Sequence, residues 1–161
     1  MAILAQLKDV LDKNQIKYVA VRHSPAYTSG EVAHQMHVPR TQFAKSVLVK
    51  ADGRYIVAVV EAADHIHLRR LANLLHEHKL RLADEHEVTE LFPDCETGAM
   101  PPFGNRYWLP VVVDRALEEQ SEIVFNAGTH EDAIQMKYED FKRLVHPNVG
   151  DFARHPGKEE W

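Results

Sequence analysis

Ser46-Val47-Leu48-Val49-Lys50-Ala51-Asp52-Gly53-Arg54-Tyr55-Ile56-Val57-Ala58-Val59-Val60 is the stretch that decides the architecture. Two runs rich in β-branched residues flank Asp52-Gly53, and an Asp-Gly pair supplies the positive φ angles of a tight hairpin turn. The reading is therefore an antiparallel hairpin at the centre of a sheet. Upstream, Ile3, Leu4, Leu7, Val10 and Leu11 fall on one helical face, and Ile16 to Val21 reads as a short strand. Thr28-Ser29-Gly30-Glu31 has the spacing of a capping box, which starts a short helix ending before Pro39. Downstream, a helix is predicted from Asp64 to Glu77, a strand near Leu80, and a helix from Asp84 to Leu91. Pro93 to Gly104 reads as a loop. Strands are predicted over Tyr107–Val113, Glu122–Asn126 and Ala133–Met136, and a last helix over Tyr138–Leu144. Short strands mixed with helices predict one α+β domain on a mixed sheet over residues 1–145. Residues 146–161 are predicted to form a polar, loosely ordered tail.

Composition narrows the function. The chain has 161 residues, 45% apolar and 27% charged, as in an ordinary globular domain. No apolar run approaches the ~20 residues of a membrane helix, so no membrane partner is expected. The single cysteine, Cys95, and charged residues near the N-terminus make the expected location cytoplasmic. A net charge of −5 argues against non-specific coating of nucleic acid and against DNA as a partner. It leaves room for recognition of one RNA end by a local basic rim such as Arg40, Lys50, Arg69, Arg70, Lys79 and Arg81.

Three segments carry candidate chemistry. Lys45 stands at the entrance of the first hairpin strand, where an ammonium can reach from a sheet rim to a phosphate or carbonyl oxygen. Thr97-Gly98-Ala99-Met100-Pro101-Pro102-Phe103-Gly104 is a loop stiffened by prolines, with glycines that allow close backbone approach. Such a loop can present N–H groups to a developing oxyanion. Asn126-Ala127-Gly128-Thr129-His130 places an imidazole after a strand and a glycine. Taken singly, each is more readily a surface lysine, a structural turn and a structural or exposed histidine. Of the eleven histidines, the close pairs His34/His37, His65/His67 and His76/His78 lack the i, i+4 spacing of helix-borne zinc ligands, so no metal and no cofactor is expected. Cys95 lies between Asp94 and Glu96, which disfavours its thiolate.

The order and spacing of these segments resemble the YbaK/ProX family of aminoacyl-tRNA deacylases, which includes the inserted editing domain of bacterial prolyl-tRNA synthetase. The resemblance rests on Ala44-Lys45-Ser46-Val47-Leu48-Val49, on Gly98 to Gly104 with a G-x-x-x-P spacing from Gly98 to Pro102, and on Phe125 to His130. It implies a mixed, partly barrel-like sheet with flanking helices. It also implies hydrolysis in trans of the ester joining a mischarged small amino acid (alanine, cysteine, serine or threonine) to tRNA, with tRNA(Pro) as the expected carrier. By that resemblance Lys45, Gly98 and His130 are the catalytic set. Tyr27, Thr28, Ser46, Val47, Ala99, Met100, Pro101, Pro102, Phe103, Gly104, Gly128 and Thr129 line the substrate. The tRNA acceptor end is the implied partner, and a synthetase a second one. A non-catalytic module binding tRNA, a synthetase or a small molecule on the same fold is the alternative, and a metal-dependent hydrolase using the histidine pairs is the third.

Overall fold

The computed structural model describes residues 3–26 and 28–155. The hairpin is its centre. β2 (Ala44–Ala51) and β3 (Arg54–Glu61) pair antiparallel through eight registered residues, from Ala44 opposite Glu61 to Ala51 opposite Arg54. Of the two turn residues, Gly53 alone takes a positive φ, +75°. The hairpin anchors a five-stranded sheet in the order β5-β2-β3-β6-β9, with β5 (Arg81–Leu82), β6 (Val111–Asp114) and β9 (Asn148–Gly150). β6 runs parallel to β3 and to β9, so the sheet is mixed. A second, antiparallel sheet has the order β1-β8-β7, from β1 (Tyr18–Arg22), β7 (Glu122–Asn126) and β8 (Asp132–Lys137). A parallel bridge between Phe43 and Val124 joins the two sheets at the entrance of β2. They wrap partway around the core without closing into a barrel.

The two-residue period of β2 separates two interiors. Ala44 and Leu48 enter the main core with Ile3, Leu7 and Leu11 of α1 (Ile3–Lys13), Phe103, Phe125 and Phe141. Val49 and Ala51 face a second core with Leu71 of α3 (Leu68–Leu75), Val112 and Phe152. A third cluster, under α2 (Ser29–Gln35), gathers Ala26, Val32, Phe43, Ala62 and Val124 at the junction of the sheets. Three further helices complete the fold: α4 (Glu85–Leu91), α5 (Arg115–Glu118) and α6 (Tyr138–Val145).

The strand expected from Tyr107 begins only at Val111, after a 3-10 turn over Gly104–Tyr107, and two larger expectations from sequence are corrected. The helix expected from Asp64 begins at Leu68. Residues His65–Ile66 instead form β4, which pairs with β10 (Ala153–Arg154), and His67 caps α3 by accepting the Arg70 N–H at 3.2 Å. The segment expected to be a loose tail from 146 carries β9 and β10 as far as the description reaches. Phe152 is fully buried, and the Asp114 carboxylate accepts the Phe152 and Ala153 N–H groups at 3.0 and 2.9 Å. The helix error and the tail error share one cause: each strand is stabilised by the other, from far along the chain. Histidine also serves the fold locally. His76 and His146 adopt left-handed φ at the C-caps of α3 and α6, and His37 does so just beyond α2.

Candidate functional site

Lys45 follows Phe43 by two residues, so its side chain rises on the face of β2 that carries the sheet junction. Its Nζ donates to the carbonyls of Asp64 (2.5 Å) and Ala62 (3.3 Å), beyond the end of β3. An ammonium has three N–H donors, and one remains for a ligand. Burial pushes the Lys45 pKa below its ordinary value, and the neighbouring Asp64 carboxylate works against that shift. Asp64 is 2% exposed. Burial raises its pKa, and the hydrogen bond from His155, with Nδ1 2.7 Å from Oδ1, opposes the rise. Its Oδ2 is buried without a hydrogen-bond partner.

The loop candidates form a clamp. Glu96 to Ala99 is a turn in which the Ala99 N–H reaches the Glu96 carbonyl at 3.0 Å, with Gly98 at φ +85°, the angle a type II turn asks of its third residue. The segment after β7 lies against it. Glu96 N–H donates to Gly128 O (2.7 Å), and Gly128 N–H to Ala99 O (2.9 Å). His130 N–H donates to the Glu96 carboxylate (2.8 Å), and His130 Nε2 donates to Thr97 O (2.8 Å). That last bond fixes the proton on Nε2, because a carbonyl can only accept. The chain before α2 is tied to the same turn by Ala26 N–H to His130 O (3.3 Å). Gly98 is exposed at the tip of the clamp.

Other expected contacts fall elsewhere. Ser46 alternates to the face opposite Lys45, above the main core, with its Oγ buried and unpartnered. Val47 keeps the face of Lys45 and packs against the second core. Ala99, Met100, Pro101, Pro102 and Phe103 are buried, with Met100 and Phe103 in the main core, so the loop offers backbone rather than side chains. Gly104 is required by packing: an added Cβ would lie 2.9 Å from Val57 and Val111 side-chain atoms. Gly128 is required by its φ of +98° and by contact with Ile3. The Thr129 hydroxyl donates to Asp132 (2.7 Å) and accepts the Glu131 and Asp132 N–H groups, so it braces the turn. Thr28 caps α2 through the Glu31 N–H at 3.1 Å, and lines an open cleft of about 480 Å³ with Gly30, Glu31, His34 and Arg40. Tyr27 lies outside the described residues. In the expected basic rim, Lys50 and Arg81 are spent on Glu87, at 3.6 and 2.8 Å.

Sequence reading missed Asn126. It is 6% exposed with an unpartnered Oδ1. Two residues beyond the Phe43–Val124 bridge on each strand, Asn126 and Lys45 share one face. Only a buried polar residue in a strand pattern hinted at it. The histidine pairs weighed as metal ligands join no cluster among the described residues. The three ligating side chains that do converge, within 4.8 Å of one another, are Glu61, Asp64 and His155. The Lys45 ammonium already stands as a cation beside Asp64. Cys95 is half-buried, and desolvation pushes its thiol up to about 11, so it is no nucleophile near neutral pH.

Residues 23–144 match the family described as the aminoacyl-tRNA editing domain. The chain is 33% identical over 118 residues to the multifunctional Ser/Thr-tRNA deacylase ProXp-y of Escherichia coli (strain K12), covering 70% of each chain. It is 26% identical over 149 residues to the prolyl-tRNA editing protein ProX of Acetoanaerobium sticklandii, covering 88% of this chain and 90% of that protein. A solved structure described provisionally as a trans-editing enzyme for prolyl tRNA synthetase superposes with a TM-score of 0.81 at 22% identity, covering 96% of this chain and 98% of that one. By this match over most of its length, the chain belongs to the aminoacyl-tRNA editing domain family.

Proposed function

We propose that the protein hydrolyses, in trans, the ester of a mischarged small amino acid on tRNA, with tRNA(Pro) as the carrier to test first. The carrying observation is the pair of prepared donors: one free N–H of Lys45, held at the sheet junction by two carbonyls, and the exposed Gly98 backbone at the tip of a hydrogen-bonded clamp. An aminoacyl ester is already activated, so water can add to its carbonyl once ester, water and developing oxyanion are held in register. The products are the free amino acid and the terminal ribose hydroxyl. Lys45 holds the terminal adenosine or its phosphate, and Gly98 faces the carbonyl. His130, with its Nε2 proton committed to Thr97 O, acts by holding Gly98 rather than by giving up that proton. Asn126, buried on the face of Lys45, is the added substrate contact, suited to an α-amino group or a hydroxyl. The cytoplasm is the place this reading assigns, consistent with the finding that no helix among the described residues is long and apolar enough to cross a membrane.

The test is single-turnover hydrolysis of tRNA(Pro) and one other tRNA, each charged with alanine, cysteine, serine or threonine. Release from one or two of these substrates is expected. Lys45→Ala is expected to lower that rate by about 100-fold or more with an unchanged melting temperature. Wild-type rates in Lys45→Ala would remove the lysine from the reaction. No release from any substrate would turn the reading toward a binding module on the same fold.

A further inference from the structure

We infer that the C-terminal segment from Asn148 to His155 is a strap that positions Lys45, with His155 acting on it through Asp64. This rests on the reading of Lys45 as a substrate contact. The path is continuous. Lys45 Nζ is held by the carbonyls of Ala62 and Asp64, in the short connection between β3 and β4. That connection has a local tie of its own, Asp64 N–H to Glu61 O at 2.9 Å. From outside, Ala62 N–H donates to Arg40 O at 3.4 Å, and the Asp64 end is fixed by the strap. His155 Nδ1 meets the Asp64 carboxylate at 2.7 Å, Ala153 and Arg154 pair with Ile66 and His65, and His67 N–H donates to Phe152 O at 2.8 Å.

The strap is itself anchored on rigid structure. β9 extends the central sheet beside β6. The Asp114 carboxylate at the end of β6 uses one oxygen for the two N–H groups of Phe152 and Ala153. Its other oxygen caps α5 through Ala116 N–H at 3.1 Å. The Phe152 ring fills the second core behind the hairpin. Asp64 is thus a buried carboxylate on a turn, and among the described residues His155 is the one side chain that hydrogen-bonds it. A carboxylate buried this deeply is stable where a donor meets it. Removing the imidazole leaves both oxygens unpaired and favours a turn that swings out toward water. That movement carries the two carbonyls away from Lys45 Nζ. His155 and Asp64 are positioning residues, since neither needs to touch the ester.

The experiment uses the full-length chain and the variants His155→Ala and His155→Asn, whose carboxamide NH₂ can take the place of Nδ1–H. The first readout needs no tRNA: ¹³C relaxation of the Lys45 side-chain methylenes by NMR, which reports its picosecond-to-nanosecond order. Lys45 is expected to be ordered in the wild type, mobile in His155→Ala and ordered again in His155→Asn. An unchanged Lys45 in His155→Ala overturns the strap. The second readout is hydrolysis of the fastest mischarged tRNA, with a double-mutant cycle. His155→Ala is expected to lower the saturating rate about tenfold with little change in KM, and to have no further effect when Lys45 is already alanine. Equal losses in both backgrounds overturn the coupling. The two failures are separate: a silent Lys45→Ala rejects the editing role of the lysine, whereas a rigid Lys45 in His155→Ala rejects the strap whatever the enzyme does.

Discussion

On the His130 side of the site, two loops are stitched by backbone hydrogen bonds. Glu96 bonds to Gly128, Gly128 to Ala99, and the imidazole closes on Thr97. On the Lys45 side there is no such ladder. One ammonium is seated on two carbonyls, and those carbonyls are held through a carboxylate and a histidine ninety-one positions further along the chain. The first side is a rigid scaffold made from two contiguous segments, and its tolerance is set by sterics. The second is a relay of polar groups, and its tolerance is set by whether each buried group keeps its partner. The two should therefore break in different ways.

The largest effect is expected on the steric side. Gly128→Ala would press a methyl into Ile3 at a φ of +98°. It should cost about 2–4 kcal/mol and lower the melting temperature, while leaving the order of Lys45 untouched in any fraction that stays folded. A melting curve equal to wild type would show that α1 yields, and that the clamp is softer than its hydrogen bonds suggest. A smaller effect is expected for His130→Ala. It removes the bond to Thr97 O but keeps the backbone N–H to Glu96. About 1 kcal/mol of stability should go, and the hydrolysis rate should fall about tenfold as Gly98 loosens. A rate unaffected by that change would leave the turn alone responsible for placing Gly98.

The smallest effect lies away from both sides and serves as their control. Hydrogen bonds from Arg81 first, then from Tyr55 and the Asp84 N–H, hold the Glu87 carboxyl well below the usual carboxylate range. A depressed folded-state pKa gives stability that is present above the unfolded value of about 4.5 and is lost as pH falls through the folded value. Glu87→Gln should therefore melt below wild type at neutral pH, with the gap narrowing under acid. A gap that stays constant with pH would assign the loss to packing of α4 rather than to charge.

The same contrast explains how much could be read from sequence. The hairpin was legible because Asp52-Gly53 and its β-branched flanks act within fifteen residues. Lys45, Gly98 and His130 were marked by motifs whose parts are contiguous. Resemblance to a family supplied their grouping, which spacing alone could not. Position on a face was less legible. Ser46 was placed with the substrate by the family resemblance, yet the period of a strand sends it to the face opposite Lys45. Met100 and Phe103 were read as pocket walls, and the structure gives them to the main core. Asp64 and His155 gave no signal at all. Asp64 stood at the start of an apparent helix, and His155 lay in a polar stretch of Pro and Gly that looked like a tail. Their meaning comes from pairing β4 with β10, and nothing local announces such a pairing.

The strap also bears on when the protein becomes competent. Chains emerge from the ribosome N-terminus first and begin to fold as they emerge. The hairpin, the clamp and most of the core belong to the part synthesised early. The partner of Asp64 is His155, which emerges ninety-one residues after it. A nascent chain can thus acquire much of its shape while the seat of Lys45 is still unfinished, so the site matures only once the strap has emerged and paired.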